Sequence, residues 1–340
     1  MSRKTERWVA LATLVVLLLL PMIASPSFGG EIKNILVFSI LALGLNVVVG
    51  YTGLLQLGIA AFFGIGAYIT GILTVTQFPF QWNFWCAMVA ATLGAGIAGV
   101  LLAAPTLRLR GDYLAIVTLG FGEVIKFTIK NLENITNGSK ALNPIPAPNS
   151  WFDWNGNYKG YYYLTLIILI LVVLLLRRLE DSPIGRSWFA IREDELAASC
   201  MGLNAAKVKL SAFALGAAIA GLAGSLFAAS INQTGGPDSY TFNRSITVLC
   251  FLIIGGMGNL RGAIAGTFVL MGYDNIASPY LDRLGQATGL GGPISQWLGR
   301  SRELQFSDFK LVVFGLALIL MMRFRPEGIF PSRRAEQEIE

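Results

Sequence analysis

Uninterrupted apolar stretches, each about 20 residues long and separated by short clusters of charge, limit this chain more than any other feature. That is the length a helix needs to cross a hydrocarbon core of about 30 Å. Only helices or closed barrels satisfy the backbone in lipid, and the alternating pattern of barrel strands is absent. Charged residues make up 14% of the sequence, against about 25% in a typical soluble domain. The sequence therefore implies an all-α, polytopic integral membrane protein.

Ten spans are expected, near 8–25, 32–50, 54–76, 83–104, 112–129, 161–177, 208–230, 243–260, 262–280 and 308–324. Arg3, Lys4 and Arg7 before the first run also fit a secretory signal, but the run is longer than a usual signal core, which favours a retained helix. With the amino terminus inside, about sixteen of the 26 Lys and Arg residues fall in inner segments, as the positive-inside rule asks. Both termini and a loop over 178–207 are then cytoplasmic. The chain reads as one transmembrane domain over 1–340, with a long outer loop over 131–160. That loop carries Pro144, Pro146 and Pro148, then Trp151, Trp154, Tyr158, Tyr161, Tyr162 and Tyr163. These aromatics suit an interfacial belt or an outer docking surface.

The basic excess lies beside apolar runs and is a topology signal, not a nucleic-acid one. Cys86, Cys200 and Cys250 lack metal or redox spacing and read as small packing residues. The chain has no His, the commonest catalytic base and metal ligand. No nucleophile elbow, paired carboxylates with His or metal spacing is present, so no catalytic, cofactor or metal site is expected. No Walker-type phosphate loop is present either, so nucleotide phosphates are not cradled by that route.

Glycines inside the spans, among them Gly94, Gly99, Gly216, Gly221, Gly224, Gly255, Gly256 and Gly258, allow close helix approach. The third span opens on Gly53, Gln56 and Gly58. Glycine and Gln at membrane depth suggest an interrupted helix lining a cavity, or else tight packing. Asp112 suits a helix start. Glu123 lies about eleven residues into its span, a depth at which an ionisable group is a functional candidate by default. Lys126, three residues on, offers it a structural ion pair instead. Gly53, Gln56, Gly58, Thr118 and Glu123 form the expected translocation pathway.

The segment 182–224 joins a charged amphipathic stretch to an apolar one rich in Gly and Ala. Ile184, Trp188, Ile191, Leu196, Cys200 and Leu203 are expected along one side of a short surface helix, with Arg192, Glu193, Asp194 and Glu195 on the polar side. Gly202 and Asn204 suit its end. A pure lipid binder would carry Lys and Arg on its polar face, and three consecutive acids argue for a protein partner instead.

Within that segment, Ala197-Ala198 followed by Gly202 resembles the EAA motif by which ABC importer permeases dock to their ATPase, with Leu196 in the glutamate position and Glu195 just before it. GYTGLLQLGIAAFFGIGAY at 50–68, RGDYLAIVTLGFGE at 110–123, SPIGRSWFAIREDELAASCMGLN at 182–204, GGMGNLRGAIAG at 255–266 and RPEGIF at 325–330 follow in order. Over roughly 30–330 the chain resembles the M-type permease of the branched-chain amino-acid ABC importers. The resemblance implies a permease bundle in a bacterial inner membrane. It also implies a homologous H-type permease partner, two ATPase subunits and a periplasmic solute-binding protein. Glu195, Ala197, Ala198 and Gly202 are the implied ATPase-coupling residues. Gly58 stands where the family often has His, so no role of a His carries over to it. A permease for urea or short amides would share these motifs; an ion-coupled secondary transporter should carry more intramembrane acids or His.

Overall fold

The computed structural model describes residues 17–22, 25–106, 112–148, 158–280, 282, 310–325 and 328–330. Most of the expected first span, together with Trp151, Trp154 and the Asp112 side chain, lies outside the described residues. The described elements are helical: α1 (Pro26–Leu45), α2 (Ile59–Thr74), α3 (Phe84–Thr106), α4 (Asp112–Asn131), α5 (Tyr158–Glu180), α6 (Pro183–Glu193), α7 (Glu195–Cys200), α8 (Ala205–Ser230), α9 (Phe242–Gly255), α10 (Leu260–Gly272) and α11 (Lys310–Phe324). α1 runs on as a π-helical turn, Asn46–Tyr51.

α1 is the centre of the bundle. Pro26 sits in its first turn, where the missing N–H costs nothing. From Ile35 to Tyr51 every residue is buried, with α2, α5, α8, α9 and α10 around it. Lys33 is also buried; its Nζ donates to the Ser230 carbonyl at 3.1 Å, at the end of α8, where a helix terminus favours a cation.

α8 packs through small residues. A Cβ on Gly44 of α1 would lie 2.9 Å from the Gly216 carbonyl oxygen, and one on Gly99 of α3 would meet Ala217 and Phe213. With no hydrophobic drive between helices in lipid, such close backbone approach supplies the packing. The other faces are apolar and open: Val89, Leu93, Ile97 and Leu101 on α3, and Ile167, Leu171, Leu174 and Leu175 on α5.

Several expectations change in detail. The third span starts late, since residues 53–58 are not helical and α2 begins at Ile59. The expected spans 243–260 and 262–280 are a bent pair, α9 and α10, turning by 119°. At 14 residues α9 reaches about 20 Å, short of the core thickness, whereas α10 runs on through a π-helical turn, Tyr273–Ala277, to Tyr280. The turn falls at Gly256-Met257-Gly258, where Gly256 and Gly258 have φ of 115° and 84°. Among the described residues, 26–51, α3, α5 and α8 are long and apolar enough to cross a bilayer, or five spans if the bent pair counts as one. The cysteines differ too: Cys250 is buried, but Cys86 and Cys200 are exposed. The tyrosines near 160 make specific contacts. Tyr161 and Tyr162 are buried, and the Tyr158, Tyr162 and Tyr163 hydroxyls donate to the Pro21, Leu17 and Leu18 carbonyls at 3.3, 2.7 and 3.3 Å. They fasten the helix over 17–22 to α5.

Candidate functional site

The stretch between α5 and α8 forms two short helices broken at Asp194, not one. Ser182 caps α6, accepting from the Gly185 N–H at 3.3 Å, and Pro183 opens the helix. Asp194 breaks the run in extended conformation. Its Oδ1 then accepts from the N–H groups of Leu196 and Ala197 at 2.8 and 3.0 Å, restarting the helix as α7. α7 closes at Gly202, whose φ of 89° suits glycine and whose N–H donates to Ser199 at 3.0 Å.

Because of this break, the expected single apolar face does not exist. Trp188 and Ile191 point inward, and so does Phe189, which the face did not include. Trp188 stacks on Tyr51 with ring centroids 6.1 Å apart and donates from Nε1 to Ser211 Oγ at 3.0 Å. Ile184, Leu196 and Cys200 are exposed. Of the four residues expected to couple to an ATPase, Ala198 is buried and Ala197 and Gly202 are exposed. Glu195 is partly exposed and holds the buried Lys209 of α8 at 2.6 Å. The two most exposed apolar side chains here are Leu196, at 68%, and Met201, at 85%. Met201 was not singled out in the sequence, because a lone Met beside a glycine carries no periodic signal.

Four of the five motif segments meet behind α6. The Gly258 N–H donates to Asn46 Oδ1 at 2.9 Å, in the π-helical turn of α1. Arg192 Nη1 donates to the Gly50 carbonyl at 2.6 Å. Gly53, with φ of 69°, lies against the Arg192 stem. The RPEGIF segment closes the bend from the other side: the Ile329 and Phe330 N–H groups donate to the Ile254 and Gly255 carbonyls at 2.9 and 3.0 Å. These acceptors belong to the last turn of α9, which has no onward helical donors.

The remaining motif segment meets the non-helical stretch before α2. Thr118 of α4 accepts from the Leu57 N–H at 3.0 Å, and its carbonyl oxygen occupies the space a Cβ on Gly58 would need. Gln56 and Thr118 are wholly buried, and the Gln56 amide has no hydrogen-bond partner among the described residues. Such an unsatisfied group is costly in a low-dielectric interior. Glu123 lies 3.6 Å from Lys126 on the half-exposed side of α4, beside an exposed apolar stripe of Tyr113, Ile116, Val117, Val124 and Phe127. Thus Gln56, Gly58 and Thr118 come together, Gly53 joins the Arg192 group, and Glu123 stands apart on α4.

The family described as the branched-chain amino acid transport system permease component matches residues 32–322. The chain is 35% identical to the high-affinity branched-chain amino acid transport system permease protein LivM of Escherichia coli, over all of this chain and 78% of that protein. The corresponding LivM of Salmonella typhimurium matches to the same extent. A probable LivM of Methanocaldococcus jannaschii is 25% identical over 73% of this chain and 68% of its own. No solved structure matches the chain. With apolar helices able to cross a bilayer, glycine-mediated packing between them and a family match over most of its length, the chain is a multi-pass membrane protein belonging to the branched-chain amino acid transport permease family.

Proposed function

We propose that this chain is one of two homologous permease subunits of an ABC importer that carries branched-chain or other hydrophobic amino acids across a bacterial inner membrane. The second subunit is an H-type permease, two ATPases attach on the cytoplasmic side, and a periplasmic binding protein delivers the substrate. Both termini and the 178–207 segment are cytoplasmic, and the 131–160 loop is outside. ATP binding closes the ATPases against α7, and the displaced α6–α7 segment changes the pathway between the permeases. Gln56 and Thr118, with Gly53 and Gly58, form the part of that pathway within this chain. Glu123, apart from that cluster and beside Lys126, lines the pathway farther along α4.

The observation that carries the reading is the pair Leu196 and Met201, exposed at the ends of α7 among charged residues. Covering one large apolar side chain is worth about 1.5–3 kcal/mol, which makes the pair a natural plug for a cleft on a partner. Asp194 and the Glu195–Lys209 pair hold α7 in place to present it. The test is Met201→Cys in the assembled transporter, with a short bifunctional crosslinker. A crosslink to the ATPase, together with leucine uptake that requires ATP, supports the reading. Uptake without any crosslink to the ATPase from 196 or 201 sinks the coupling assignment. ATP-driven uptake of urea and not of leucine sinks the substrate assignment.

A further inference from the structure

We propose that Arg192 is the positioning residue that carries movement of the α6–α7 segment into the end of α1 and the α9–α10 bend. This rests on the permease reading above and adds the route by which the segment acts on the bundle. α6 is joined to α8 by the Trp188 Nε1 bond to Ser211 Oγ, and to the end of α1 by two kinds of contact. The stacking of Trp188 on Tyr51 is broad and apolar, and such a contact fixes no direction. The bond from Arg192 Nη1 to the Gly50 carbonyl, at 2.6 Å, is directional and charge-assisted. Its acceptor lies in the last turn of the π-helical segment, just before the chain leaves helical conformation at Gly53. A carbonyl there has lost its onward helical donors, so the guanidinium supplies what the backbone does not.

The side chain reaches that carbonyl between two glycines from different elements. A Cβ on Gly53 would lie 3.1 Å from Arg192 Cγ, and one on Gly258 would lie 2.8 Å from Nη1. Gly258 is in turn tied to Asn46 in α1. One guanidinium therefore touches both the broken end of α1 and the bend of the α9–α10 pair. When α6 shifts, these two elements must move with Arg192 or the bond must break. A directional contact that is either kept or broken can bias two arrangements of the bundle, which is what coupling between distant sites requires.

The test uses the complete transporter in vesicles and reads substrate moved per ATP hydrolysed. The wild-type complex must first show ATPase activity stimulated by loaded binding protein, and its absence would count against the permease reading itself. In Arg192→Gln, stimulated hydrolysis continues and the ratio falls about tenfold, the size of a coupling free energy between sites. Arg192→Lys, which keeps the cation and one donor, recovers part of that loss. Asn46→Ala, which frees Gly258 and leaves Arg192 intact, also lowers the ratio, and it carries the test if Arg192→Gln does not assemble. A wild-type ratio in Arg192→Gln, or in Asn46→Ala, overturns the proposal. So does loss of stimulated hydrolysis in Arg192→Gln, which would place Arg192 in docking rather than in transmission.

Discussion

The ammonium of Lys209, buried near the start of α8, lies 2.6 Å from Oε1 of Glu195, the first residue of α7. The pair joins the segment outside the bundle to the helix that packs most extensively within it. Glu195→Gln leaves the Lys209 charge without its carboxylate. Because Glu195 is 40% exposed, the loss of stability is about 1 kcal/mol or less, in the range of surface pairs. The larger expected effect is on coupling: uptake falls while ATPase activity persists. Lys209→Gln should have the same effect, and the exchange Glu195→Lys with Lys209→Glu should restore uptake in part. Equal uptake in all three variants would show that the pair has no part in coupling.

Gly58→Ala should destabilise the protein. The added methyl enters the space of the Thr118 carbonyl, so α4 must shift relative to the stretch before α2. Overpacking of this kind costs about 1–3 kcal/mol. Thr118→Val removes the acceptor of the Leu57 N–H, a loss of about 1–3 kcal/mol if no water replaces it. Thermal unfolding in detergent measures both, and an unchanged midpoint for Gly58→Ala would mean that the contact yields freely.

Glu123→Gln keeps the shape of the side chain and removes its charge. If Glu123 faces the pathway, uptake drops several-fold while assembly and basal ATPase activity stay at wild-type levels. If its role is only to hold Lys126 at 3.6 Å, the variant transports normally. Initial-rate uptake across several amino acids separates the two.

Topology gives a fourth check. In a background with the native Cys86, Cys200 and Cys250 replaced by Ser, cysteine introduced at Lys140, exposed in the loop after α4, should react with an impermeant maleimide added to intact spheroplasts. Cysteine introduced at Met201 should react only after lysis. The reverse pattern would invert the proposed orientation.

Much of the fold is legible in the sequence because lipid leaves few options. Apolar length alone places α3, α5 and α8 within about three residues, and α1 within six at its start. The break before α2 is visible as glycines flanking Gln56. What the sequence hides is where a helix changes direction without losing hydrophobicity. The stretch from 243 to 280 reads as two spans, yet its direction is set by Gly256 and Gly258 and by main-chain bonds from Ile329 and Phe330, some 75 residues away. Surface periodicity misled in another way at 184–204. The apolar positions fit one helix until Asp194, whose side chain can serve as the cap of a new one. Arg192 reads as part of a polar face, and only the fold shows that it reaches Gly50.

The enclosure of α1 has a consequence for biogenesis. It leaves the ribosome before the elements that surround it, and α8, which covers it, follows about 160 residues later. At 5–20 residues per second, that is an interval on the order of ten seconds. During it, α1 must rest in lipid. Its surface is apolar enough to do so, with a mean hydropathy of 2.1 over its span. The side chains that later form the protein interior must therefore first serve as a lipid-facing surface. Leu36, Leu41 and Val47 are 0% exposed, but selection on them acts twice: once for insertion, and once for the fit of the later helices when they displace the lipid.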